Sequence, residues 1–135
     1  MTIYPNTGAL LLAATMRTFL AASKMKLYQT IASPLSPSTV LADLTEADYD
    51  GYTEKTLTTW NLPYLDPAGG ASIQPGTQQF DFVAAAGTTN VVLGFYILDA
   101  AGALVCVGSF DSPIPMGNTG DSIPINCSLN FGASS

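Results

Sequence analysis

The chain has 135 residues and a net charge of −6; 47% of its residues are apolar, 10% are charged and none is histidine. That length suits one domain with a core of its own, while so few charges, against ~25% in an ordinary soluble domain, leave a surface of Thr, Ser, Asn, Gln and backbone suited to burial against neighbours. Without histidine the chain lacks the commonest general base, nucleophile partner and transition-metal ligand.

The chain opens with a helical pattern from Asn6 to about Met25. Leu12, Met16, Phe19 and Leu20 fall at i, i+4, i+7 and i+8 on one stripe, which Leu10 and Leu11 widen. Asn6 or Thr7 can cap its start, and Lys24 and Lys26 stand where the helix dipole favours cations. The stripe can pack on its own domain or serve as an arm on another subunit. The expected organisation is a helical arm over 1–25 and a β domain over 26–135. The apolar run from Ala9 to Ala14 is far shorter than the ~20 residues of a membrane span. Nothing basic precedes it and Arg17 follows, the reverse of a secretory signal. The expectation is a chain made and kept in the cytoplasm, with its first residues ordered.

Arg17, Lys24 and Lys26 are the only charges before Asp43. That asymmetry points this segment at something acidic, either its own later body or a partner. Three cations are too few for a nucleic-acid partner, whose affinity grows with the phosphates neutralised.

A short strand is expected from Lys26 to Ala32, broken by Pro34 and Pro37, with Ser38 capping a helical turn through Leu41. Tyr49 to Tyr52 and Thr56 to Trp60 read as strands rich in β-formers. The segment 63–75, with three prolines and the pair Gly69 and Gly70, reads as a long surface loop. Gln78 to Val83 alternates about Phe80 and Phe82. Val91 to Leu98 is apolar on both faces and so belongs in the middle of a sheet. Asp99 to Gly102 forms a hairpin turn, with Gly102 suited to positive φ, and Leu104 to Phe110 returns antiparallel. After a loop from Asp111 to Asp121, Ile123 to Phe131 alternates with period two; Pro124, lacking a ladder donor, puts its start near an edge or bulge. Six to eight strands with turns between them give an all-β fold, a β-sandwich or jelly roll with an N-terminal helix.

Four groups of side chains invite a chemical reading. Glu46, Asp48, Asp50 and Glu54 include Asp48-x-Asp50-Gly51, half of a calcium loop, but the third acid is missing and Glu54 comes too early. A solvated turn is the plainer reading. Glycoside hydrolysis by two of these carboxylates lacks any sign of a cleft. Cys106 and Cys127, too few for a zinc site, read as buried thiols, with a cross-strand bridge as the alternative. Tyr28, Tyr49, Tyr52, Trp60 and Tyr64 can stack on sugars or bases, but more often such residues fill a β core or an interface. Gly117 to Gly120 is a loop without a following helix, so it is no phosphate cradle. Neither cofactor nor metal is expected.

The run from Ser38 to Tyr52, the segments Gly94 to Tyr96, Asp99 to Gly102 and Phe110 to Pro113, and the pair Gly120 and Asp121 together resemble small structural proteins of tailed bacteriophages. So does a leucine-rich helix followed by Lys24 to Tyr28. The resemblance spans nearly the whole chain as a pattern of turns and strand ends, and it carries over no active-site residue. It implies a virion structural role for a β-sandwich with an N-terminal helix. The expected function is therefore a non-enzymatic capsid decoration or cement protein. Its expected partners are the major capsid protein or other virion proteins and further copies of itself, with neither nucleic acid nor membrane. A tail- or fibre-borne module that recognises a host glycan or receptor is the alternative. Leu12, Met16, Phe19, Leu20, Trp60 and Tyr64 are the candidate partner-binding residues.

Overall fold

A computed structural model describes residues 6–67, 69–84 and 87–131. The expected order at the first five residues lies outside this set. The chain is mostly β, with one N-terminal helix and antiparallel sheets. Its residues gather into two compact units, one from 6–22, 57–78 and 125–131, the other from 23–56 and 79–124.

Helix α1 runs Asn6–Phe19. It stops short of Met25 because Ala22 adopts φ 64°, a left-handed geometry that terminates helices even though it disfavours Ala. The last turn tightens as Leu20 and Ala21 donate to the carbonyls of Met16 and Thr18. Strand β1 (Ser23–Ile31) starts at once, burying Ser23, Met25 and Leu27 on alternate positions. Lys24 and Lys26 therefore stand on the half-exposed face of a strand instead of at a helix end.

A single 3-10 turn, Leu41–Asp43, leads into β2 (Leu44–Glu46); Asp43, three residues beyond Val40, accepts the Val40 amide hydrogen and so closes that turn. Tyr49 to Tyr52 form a turn and not a strand: Tyr52 N–H donates to the Tyr49 carbonyl, and Gly51 at φ 88° supplies the bend. Strand β3 (Lys55–Leu57) keeps only the start of the strand expected to reach Trp60. The stretch 63–75 holds a hairpin where a loop is expected. Strand β4 (Tyr64–Leu65) pairs with β5 (Ala71–Ile73) around a turn in which Asp66 N–H donates to the Gly70 carbonyl. Ala71, Ser72 and Ile73 are all fully buried, which outweighs the turn-forming composition around them.

Strand β6 is Gln78–Asp81 and β7 is Asn90–Leu98. Strand β8, Leu104–Met116, runs through the expected loop as far as Met116. The Asp99 turn forms as read: Asp99 Oδ1 accepts the Ala101 and Ala103 amides, and Gly102 has φ 92°. In the second unit the strand order is β2-β1-β7-β8, so β7 is central, and β3 also pairs with β1. Gly94 on β7 has no room for a side chain, since a Cβ there would run into the Gly108 carbonyl oxygen and the Tyr28 ring. Strand β8 tolerates Pro113 and Pro115 because it is an edge.

The period-two run at the C-terminal end divides. Strand β9 (Ser122–Ile125) pairs with β6, whereas β10 (Leu129–Phe131) pairs with β5 in the order β10-β5-β4. Alternation alone cannot mark such a switch, because both pieces keep the same inward parity.

Candidate functional site

The first unit is organised by α1. Ala9, Ala13 and Leu20 are fully buried; they recur on one face of the helix. The small Ala side chains let the helix lie close to β5. Trp60 completes this interior: it is 4% exposed, its indole N–H donates to the Leu20 carbonyl at 3.1 Å, and its own carbonyl accepts Arg17 Nε at 3.1 Å.

The six candidate partner-binding residues are thus divided. Leu20 and Trp60 lie inside the unit, Met16 is half-buried, and Leu12, Phe19 and Tyr64 are exposed. Tyr64 accepts the Gln74 side-chain amide at 3.0 Å. Leu11, Leu62 and Leu65 join the exposed set, Leu11 at 68% and Phe19 at 53%. The residues that a stripe rule assigns to the core are partly outside, because the core side of α1 is made of alanines. Leu62 and Leu65 carry no periodic signal, lying in and beside a two-residue strand. Only their hydrophobicity in a proline-bounded segment could have marked them.

Charge is divided unevenly between the two units. Of the fourteen charged residues, only Arg17 and Asp66 belong to the first unit. Arg17 is tethered to the Trp60 carbonyl, and Asp66 accepts the Ser72 hydroxyl at 3.1 Å. A pocket of about 290 Å³ beside Arg17, lined by Thr18, Ala21, Thr58 and Trp60, lies at the C-terminal end of α1.

The acids of the second unit have structural tasks. Glu46 receives Lys26 at 3.2 Å and the Tyr52 hydroxyl at 2.8 Å. Glu54 meets Lys24 at 3.2 Å and Lys26 at 3.6 Å. Desolvation pushes the Glu54 carboxyl up, but the two lysines outweigh it and hold it below its ordinary range. The early lysines thus find their acids within the same chain. Asp48 Oδ1 accepts amide hydrogens from Asn90 at 2.9 Å and Gln29 at 3.2 Å, while its N–H donates to Asn90 Oδ1 at 2.7 Å. The half calcium loop is therefore a polar clasp between the turn and β7, with two neutral amides where a cation would require more oxygens. No group of three or more Cys, Asp or Glu able to hold a metal occurs among the described residues.

The tyrosines of this unit build its core. Tyr52 stacks on Phe80 at 6.1 Å, Tyr49 packs edge-on to Tyr52 and beside Phe82, and Tyr28 lies 6.5 Å from Tyr96. Both cysteines are half-buried thiols rather than a bridge, and burial pushes the Cys127 thiol up. Two open grooves of about 470 and 280 Å³ run beside β8, meeting at Leu35. The first lies along Leu104 to Val107; the second is walled by Tyr28, Leu93 and Phe110. No helix among the described residues is long and apolar enough to cross a membrane.

No protein-family model, curated protein or solved structure matches the chain.

Proposed function

We propose that this chain is a non-enzymatic packing protein, a capsid decoration or cement protein of a tailed-phage particle, that attaches through the outer surface of its first unit. The observation that carries this reading is the coincidence of two distributions. Among the described residues, six of the eleven exposed large apolar side chains (Leu11, Leu12, Phe19, Leu62, Tyr64 and Leu65) fall in the unit that has only two of the chain's fourteen charges. Interface cores are depleted of charge and enriched in large apolar side chains, and exposed apolar patches mark surfaces that associate. The virion setting comes from the resemblance in turns and strand ends, and with it come the proposed partners: the major capsid protein or another virion protein, and further copies of this chain. A sandwich or jelly-roll arrangement of the sheets belongs to the same proposal.

Adding the purified chain back to particles assembled without it tests the reading. The wild-type chain is expected to rebind, and Phe19→Asp to lose at least about tenfold in affinity for the particle, a cost of about 1.4 kcal/mol. Val40→Asp, an exposed apolar position of the second unit, is expected to rebind like wild type. Failure of the wild type to bind, or equal binding by Phe19→Asp, would reject this function.

A further inference from the structure

The outer face of α1 has a spacing that the packing of the unit does not use. Gly8, Leu12, Thr15 and Phe19 follow one another at intervals of four, three and four residues, the a/d pattern of a two-helix seam. Leu12, Thr15 and Phe19 are exposed and Gly8 is half-buried. The buried Ala9 and Ala13 lie around the helix from this seam. Arg17, the one charge on the helix, sits on the far side with its Nε held by the Trp60 carbonyl.

We infer that the occupant of this face is α1 of a second copy, packed antiparallel about a two-fold axis. The inference names the self-partner within the packing reading above and rests on it. What selects a second copy is the fit of the seam to its own reverse. An antiparallel pair brings a positions opposite d positions. Leu12 then faces Thr15 of the other copy, and Phe19 faces Gly8. Each large side chain meets a small one in every layer, as interdigitating layers require. A parallel pair would set Phe19 against Phe19 and Gly8 against Gly8, leaving a crowded layer and an empty one. The antiparallel pair also brings each helix's positive end to the other's negative end. Nothing on the face repels its copy, since no charge occurs at the seam or at its open flank, Leu11 and Thr18. A 14-residue helix gives a contact at the small end of specific interfaces, below about 1,200 Å², so the association is expected to be micromolar and not tighter.

Sedimentation equilibrium of the full chain, across concentrations up to about 1 mM, supplies the test. The wild type is expected to show a monomer–dimer equilibrium. Leu12→Glu and Thr15→Lys, both at exposed positions, are each expected to weaken it at least about tenfold with unchanged far-UV circular dichroism. The double variant Leu12→Glu/Thr15→Lys is expected to regain dimerisation, because each central layer then pairs Glu with Lys across the two-fold axis. In a parallel pair the same double variant would set like charges together and stay monomeric. A wild type that is monomeric throughout, a single variant that dimerises normally, or folded variants without recovery in the double would each overturn the inference. Loss of particle rebinding with the dimer intact would reject the particle role and leave this contact standing.

Discussion

At the scale of single residues, the second unit is held by polar groups that do their work inside. Tyr49 and Tyr96 are each pushed up to about 12, first by burial; Asp81 adds to the effect at Tyr49, and Glu46 and Glu54 at Tyr96. Both bind their proton more tightly folded than unfolded, where a tyrosine titrates near pH 10. Their contribution to stability is therefore complete below about pH 10 and is lost as pH rises from there toward 12. Phenolate absorbance followed together with circular dichroism should show these two still protonated at about pH 11 while the fold persists, with later ionisation accompanying unfolding. All six tyrosines ionising in one step near pH 10 with the fold intact would contradict the packing described. The acidic residues show what a sequence yields at this scale and what it does not. Asp48 and Asp50 are visible as an incomplete cation loop. The amide clasp from Asn90 is not, because 42 residues separate it from Asp48 and nothing local encodes the pairing.

At the scale of elements, α1 was legible as a helix but not in its orientation. A stripe rule ranks residues by hydrophobicity and turns Leu12, Met16 and Phe19 inward. Close approach to β5 instead selects the smallest side chains, so Ala9 and Ala13 are the ones inside. Ala13→Leu is expected to cost about 2 kcal/mol or more, since methylenes forced into a packed contact have nowhere to go. Leu11→Ser, 68% exposed, should stay within about 0.5 kcal/mol of wild type. Chemical denaturation of both variants checks this, and the opposite order would mean that the helix face has been misassigned. Strand β7 and its hairpin were legible because an apolar run on both faces and an Asp–Gly turn are local signals. Strand β5 was not. Three residues between turn formers look like loop until the helix that covers them is known.

At the scale of the whole molecule, a low overall charge hides an uneven division. The first unit is built from three separated stretches of chain, so its near absence of charge cannot be seen by scanning the sequence. The N-terminal bases look like a cationic arm in one dimension, yet Lys24 and Lys26 belong to the second unit and are answered there by Glu46 and Glu54. What remains is a unit that exposes leucines and a phenylalanine and has only Arg17 and Asp66 to keep it apart from neighbours. The most direct measurement is an image of the intact assembly at side-chain resolution, from which the surface buried on each unit is read. Leu11, Leu12 and Phe19 are expected to be covered by protein, and Val40, Leu41 and Val91 of the second unit to face solvent. An assembly held through the acidic unit, with the outer face of α1 open to water, would contradict it.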